Sequence, residues 1–244
     1  MGTTIMNTTK WQISSSFVNS LSSGIQQAIG YVNKLDQSLT QIRVVTGDSA
    51  SQMAEFATQA NKAAASLGRQ TTDYTKAALQ YYQQGLSDKE VQARTETTLK
   101  AANITGANVS NVANDLTAVW NGFNVQADQT QSTVDKLAAV ADSSASDMSE
   151  LASAMGKVAS VAGNTGVSVD QLNAMLATTI SVTRQAPESI GNAYKTIFAR
   201  INDIKTGADD AEDTLGNYSG KMAELGINVL DETGHLRETG DVME

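Results

Sequence analysis

Apolar residues recur at alternating spacings of three and four along the first 45 residues. The seam that they form consists of Val18, Leu21, Ile25, Ala28, Val32, Leu35, Leu39 and Ile42. This alternation is typical of a coiled coil, but a long amphipathic helix lying on its own domain has the same period. The pattern therefore predicts a helix over 10–45. It leaves open whether the seam packs against a second chain or within its own chain.

Beyond this helix a turn signal recurs: a glycine, then a serine or asparagine two residues later, then an apolar residue four further on. It begins at Gly47, Gly85, Gly106 and Gly166. The glycine suits the left-handed end of one helix, and the polar residue suits the cap of the next. Two of the signals continue as capping boxes, at 87–90 and 168–171. Residues 105–109 resemble 165–169, but turn chemistry alone produces such a likeness, so it does not predict a repeat.

The pattern as a whole predicts an all-α fold, with a long N-terminal amphipathic, coiled-coil-like helix and then an antiparallel multi-helix bundle. The predicted helices are 10–45, 49–67, 72–84, 87–103, 108–121, 129–143, 147–162, 168–183, 187–206 and 216–225. Alternation at Ile227 and Val229 around a glycine-bearing turn predicts a short β-hairpin over 226–238. The predicted segments are the heptad helix at 1–46, the bundle at 47–207 and an acidic C-terminal segment at 208–244.

The stretch RQAPESIGNAYKTIFARINDIK, residues 184–205, combines basic and aromatic residues. On a helix its basic residues scatter around the axis, whereas six of its apolar residues fall within about 100° of arc: Ile190, Ala193, Tyr194, Ile197, Ile201 and Ile204. Pro187 suits the first turn of such a helix. A helix that binds nucleic acid gathers its cations on one face, so this one is interpreted as a core helix. Its predicted core positions are Ile190, Tyr194, Ile197 and Ile201.

Charge and composition narrow the possible functions. The net charge is −9, and residues 206–244 hold ten acidic and two basic residues, so the remainder is near neutral. Neither part has the basic field that binding to phosphate backbones needs, and no specific nucleic-acid site is predicted. The chain has no cysteine, which excludes disulfides and thiolate metal sites. No apolar run approaches the length of a membrane span.

Residues for chemistry are sparse. The single histidine, His235, lies in the predicted hairpin turn without a pattern that supplies a nucleophile and an orienting acid. The acidic run at 208–213 lacks the spacing and central glycine of a calcium loop, and no phosphate-binding glycine loop occurs. The sequence therefore predicts no catalytic residues, no metal site and no cofactor, and indicates a protein that is not an enzyme.

Five stretches, in this order, resemble the N-terminal region of the tape measure proteins of long-tailed bacteriophages and prophages. The most specific motifs are YYQQGLSDKEV and NAYKTIFARI. The stretches are VNKLDQSLTQIRVVTG (32–47), AASLGRQTTDYTKAALQYYQQGLSDKEVQARTETTLKAANITG (64–106), NDLTAVWNGFN (114–124), TTISVTRQAPESIGNAYKTIFARI (178–201) and LGNYSGKMAELGINVLDETGHLRE (215–238).

The resemblance implies a structural protein of the virion, made in the bacterial cytoplasm and held in the lumen of the tail tube. Members of the family set tail length and leave ahead of the DNA during genome ejection. Their partners are further copies of themselves, tail tube protein, tail assembly chaperones and tail tip proteins. Because 244 helical residues would span only about 370 Å and turns interrupt them, we expect a folded N-terminal fragment of a longer protein and not the ruler.

Two alternatives stay open. Low aromatic content, no cysteine and abundant Ala, Asn, Gln, Ser and Thr are shared with flagellin-like proteins, which would suit a secreted, self-assembling helical filament subunit or adhesin. A cell-wall hydrolase domain has less support, because no motif supplies its catalytic groups.

Overall fold

Helices form all the regular structure in the part of the chain that is described. The computed structural model describes residues 26–206 and 237, with side chains for 26–201 and 237. Helix α1 spans 26–46. It is followed by α2 (Ala50–Ser66), α3 (Thr71–Tyr82), α4 (Asp88–Thr105), α5 (Val109–Gly122), a 3₁₀ turn (Ala127–Gln129), α6 (Thr130–Ser143), α7 (Met148–Asn164), α8 (Val169–Thr183) and α9 (Pro187–Thr206).

The predicted all-α class is confirmed for these residues. The predicted helix at 216–225 lies outside the described residues, and so does the predicted hairpin at 226–238 except for Arg237.

The turn signals work as predicted. The four signal glycines have φ between 67° and 85°, in the left-handed region that glycine adopts without a steric penalty. The side chains of Ser49, Asn108 and Ser168 each accept a backbone N–H of the helix that they begin. Both predicted capping boxes are present. Two further boxes begin α2 and α7, at Ser49 and Asp147.

The chain divides into two compact units, Met1–Gly85 and Leu86–Glu244. In the first unit α2 packs on α3, and Phe56 joins them through ring contacts to Tyr74 and Tyr82, with centroids 6.2 and 6.0 Å apart. A hydrogen bond of 2.8 Å from Thr71 to Asn61 also links these two helices. The segment boundaries predicted after residues 46 and 207 stay predictions.

Helix α7 is the centre of the second unit, because it contacts α4, α5, α6, α8 and α9. Large side chains that are almost completely buried fill the space around it. They are Leu99, Leu116, Trp120, Leu137, Leu151, Met155, Leu172, Leu176, Ile180 and Phe198.

The contact between α4 and α6 is of a different kind, because hydroxyl groups line it. The Oγ1 atoms of Thr97 and Thr130 lie 3.5 Å apart, and Thr133 is also buried. At the exposed edge, Lys100 donates to Gln131 over 3.0 Å. The second unit therefore combines an apolar centre with a polar side.

Candidate functional site

The seam of α1 changes from exposed to buried along the helix. Ala28 is exposed and Val32 is 60% exposed, whereas Leu35 and Leu39 are half-buried and Ile42 is fully buried. Val18, Leu21 and Ile25 lie outside the described residues. The C-terminal part of the seam is thus covered by its own chain. The part around Val32 is an uncovered apolar face.

In α9 the predicted core positions have different environments. Ile190 is 3% exposed, Ile201 is half-buried, and Tyr194 is half-buried with its hydroxyl 2.8 Å from the Thr179 hydroxyl. Ile197, however, is 42% exposed, and Phe198 is completely buried. The prediction that Ile197 lies in the core is therefore wrong.

Gly191 explains why Phe198 is buried in α9 and Ile197 is not. A Cβ built on Gly191 would collide with the carbonyl oxygen of Ala154 and lie 3.0 Å from the Cβ of Lys157, so the backbones of α9 and α7 are in close contact there. This contact turns the Gly191 side of α9 toward α7. Phe198 lies about 20° from Gly191 around the helix, whereas Ile197 lies about 120° away.

Close glycine contacts also join α5 to α7. A Cβ on Gly122 would lie 2.5 Å from the carbonyl carbon of Ala159, and a Cβ on Gly163 would collide with the Gly122 carbonyl oxygen. The two backbones therefore approach more closely than any side chain allows. At Gly156, seven residues earlier on α7, a Cβ would lie 3.4 Å from Asp115, which is ordinary contact. We call this α5–α7 contact the glycine joint.

Asp115 lies at the edge of the glycine joint, half-buried against Gly156. Burial raises the pKa of its carboxyl above the ordinary value of 3.8; Lys157 opposes this shift and Glu188 adds to it. Ser153 on α7 in turn donates to Glu188 on α9 over 3.2 Å. The folded protein therefore holds the Asp115 proton more tightly than the unfolded chain does.

We expect Asp115→Asn to remove a loss of stability that accompanies rising pH. Because the folded pKa is raised, the favourable contribution of Asp115 is present below pH 3.8 and is lost as the pH rises through the folded value. The variant should melt at a higher temperature than the parent at pH 7, with the difference shrinking toward pH 3.8. Thermal unfolding from pH 3 to 8 measures this. Asp36→Asn, at an exposed position of α1, makes the same change of side chain and serves as the control.

Arg94 forms a second buried polar arrangement. Its guanidinium carbon lies 5.3 Å from the ring centroid of Trp120, and its terminal nitrogens donate to Asn121 and to the carbonyl of Val125, each over 3.3 Å. The adjoining cavity of about 260 Å³ includes Asn124, which has φ of 51°. The arrangement fastens the segment after α5 to α4. No signal in the sequence points to this arrangement, because Arg94 lies among charged residues typical of a solvated helix face.

Among the residues that the structure describes, no group of three or more His, Cys, Asp or Glu is placed to hold a metal ion. His235 and the acidic run at 208–213 lie outside those residues. No helix in the described range is both long enough and apolar enough to cross a membrane. What the described structure offers is packing surfaces.

Comparison with known proteins gives one family. The model of a family described as phage-related minor tail protein matches residues 59–244. No solved structure matches the chain. The matched range includes the whole second unit, all of α3 and the C-terminal half of α2.

Proposed function

This chain belongs to the phage-related minor tail protein family, and we propose that it is the folded N-terminal part of a tail tape measure protein. The observation that supports this narrower role is the pair of motifs YYQQGLSDKEV and NAYKTIFARI within the matched range. The first contains the turn and capping box that begin α4, and the second lies in α9. Both stretches resemble tape measure proteins in particular.

In this role the chain is carried in the lumen of the tail tube, takes part in setting tail length and leaves during genome ejection. It acts through surfaces and not through catalysis. Its partners are tail tube protein, tail assembly chaperones, tail tip proteins and other copies of itself.

Tail length tests the tape measure role. An in-frame insertion of helical residues into the phage gene that encodes this chain, downstream of this region, should lengthen the tail by about 1.5 Å per inserted residue. Electron microscopy of purified virions measures the length. A recoded gene with an unchanged protein sequence is the control. Tails of unchanged length with the insertion present in the virion would contradict the role.

Self-association through the uncovered part of the α1 seam is testable separately. We expect Val32→Asp to reduce association several-fold, because it places a charge on the exposed apolar face, where Val32 is 60% exposed. Asn33→Asp adds the same charge at an exposed neighbouring position about 100° around the helix, and it should have little effect. Sedimentation of the three proteins at equal concentrations measures this. Equal behaviour of the two variants would show that the seam is not an oligomer contact.

A further inference from the structure

The helices of the second unit repeat with a period of 60 residues. Asp88, which begins α4, corresponds to Met148, which begins α7. Val109 and Val169 begin α5 and α8 at the same offset. The 3₁₀ turn that begins at Ala127 corresponds to the first turn of α9, which begins at Pro187. When the 3₁₀ turn is counted as the beginning of α6, the two sets of three helices, α4–α6 and α7–α9, have the same lengths of chain between their beginnings.

The backbone geometry repeats as well. Asn124 and Arg184 have φ of 51° and 54° and are the two residues other than glycine with positive φ in the described range. They are 60 positions apart. The left-handed conformation is unfavourable for a residue that has a side chain. Its occurrence at equivalent points of the two sets therefore supports the repeat. The capping boxes that begin α4 and α7, at Ser87 and Asp147, also correspond.

Core positions correspond too, although the residue types differ. The buried pairs are Val91 and Leu151, Val112 and Leu172, Leu116 and Leu176, and Trp120 and Ile180. Turn chemistry alone does not explain this agreement, because these residues lie inside helices.

The first unit contains the same order of elements at an offset of 59. Gly47 and Gly106 take positive φ at 76° and 67°, and the caps Ser49 and Asn108 follow them. Before each glycine, a threonine hydroxyl accepts the backbone N–H two residues on: Asp48 to Thr46 over 3.3 Å and Ala107 to Thr105 over 3.2 Å. Helices α1–α3 are therefore a third copy of the module.

Neighbouring modules meet where the second helix of one packs on the first helix of the next. In the glycine joint, the second helix of one module, α5, packs on the first helix of the next, α7, where Gly122 and Gly163 meet. The equivalent of Gly122 in the last module is Val182 on α8, and the equivalent of Gly163 in the first module is Val44 on α1. Val44 and Val182 are 79% and 76% exposed, the highest values for large apolar side chains in the described range.

We propose that a second copy of this chain docks head to tail, with α8 of one copy on α1 of the next, in the arrangement of the glycine joint. The surrounding positions fit this occupant. Thr178 on α8 is exposed. On α1 the exposed residues are Gln37, Thr40 and Gln41. These three α1 positions correspond to Gly156, Ala159 and Ser160 on α7. Those three α1 residues also border a shallow groove of about 530 Å³. Valines in place of the two glycines set the helices further apart and supply an apolar contact.

This surface is separate from the seam. Val44 lies two residues after the buried Ile42, about 200° around α1. The contact joins two different faces, one on α8 and one on α1. A pair of chains therefore keeps one free face at each end, to which further copies can be added. It does not depend on the proposed role in the tail, and its test is independent of tail length.

Cysteine cross-linking tests the proposal cleanly, because the chain has no cysteine of its own. Under mild oxidation, a mixture of Val44→Cys and Val182→Cys chains should give a disulfide-linked dimer at about tenfold the yield of either variant alone, the ratio that 1.4 kcal/mol of docking energy produces. A single chain carrying both substitutions should give a ladder of higher multimers. Ile104→Cys, at a site 60% exposed, replaces Val182→Cys in the control mixture.

Three results would overturn the proposal. The Val182→Cys variant alone could give the same yield of disulfide-linked dimer as the mixture, which would indicate a contact between like faces. The Ile104→Cys control could cross-link equally well, which would indicate random collision. The double variant could form only a cross-link within one chain, leaving its mass unchanged.

Discussion

Replacing Gly163 with alanine is expected to lower the free energy of unfolding by about 3 kcal/mol, the upper end of the usual cost of overpacking. The new Cβ would collide with the Gly122 carbonyl oxygen, which belongs to the backbone of α5 and cannot rotate away. Helices α5 and α7 would have to separate, and every packed side chain between them would lose contact. The gain in helix propensity, about 1 kcal/mol, does not offset this loss.

Gly156→Ala is the matched control, since it makes the same change in the same helix. Its Cβ would meet Asp115 at 3.4 Å, an ordinary contact, so the helix propensity gain of up to about 1 kcal/mol should be retained. Denaturant unfolding followed by circular dichroism measures both variants. If they were equally stable, the glycine joint would not be a close backbone contact.

Trp120→Ala is expected to cost about 3–5 kcal/mol, as truncation of a buried large aromatic side chain does. Trp120 has no exposed surface, and its ring lies beneath the Arg94 guanidinium. The substitution leaves a cavity and removes the cation–π contact that helps to hold Arg94 in a buried position. The free energy of unfolding, from the same denaturant titration, provides the measurement.

Trp120→Phe separates the contribution of the aromatic face from that of the volume that the side chain fills. Phenylalanine keeps an aromatic face under Arg94 and most of the buried area, so we expect it to lose less than half as much stability as alanine. A loss equal to that of Trp120→Ala would indicate that the face contributes nothing. A loss near zero for both would show that the Trp120 side chain does not contribute to the stability of the core.

Helices and their ends could be predicted from the sequence because the signals that specify them are local. A glycine followed by Ser49 or Asn108 contains the chemistry of its own turn and cap. What could not be predicted is the role of a glycine inside a helix. Gly106 ends a helix, whereas Gly163 and Gly191 bring two helices together, and only the neighbouring helix distinguishes these roles.

The same limit explains the remaining differences. The apolar arc of α9 could be read from the sequence, but its rotation depends on Gly191 against α7, so Ile197 and Phe198 could not be ranked correctly. The 60-residue repeat was similarly hidden. The modules share backbone features and burial at positions such as Trp120 and Ile180, where the residue types differ. Only the likeness between 105–109 and 165–169 was visible in the sequence.

The hydroxyl-lined contact between α4 and α6 has a consequence for behaviour across temperatures. Exposing apolar surface on unfolding raises the heat capacity, whereas exposing polar groups lowers it. Buried residues such as Thr97, Thr130 and Thr133, together with many buried alanines, make the heat-capacity increment small for a domain of this size. A small increment flattens the curve of stability against temperature. The folded state should therefore resist cold as well as heat.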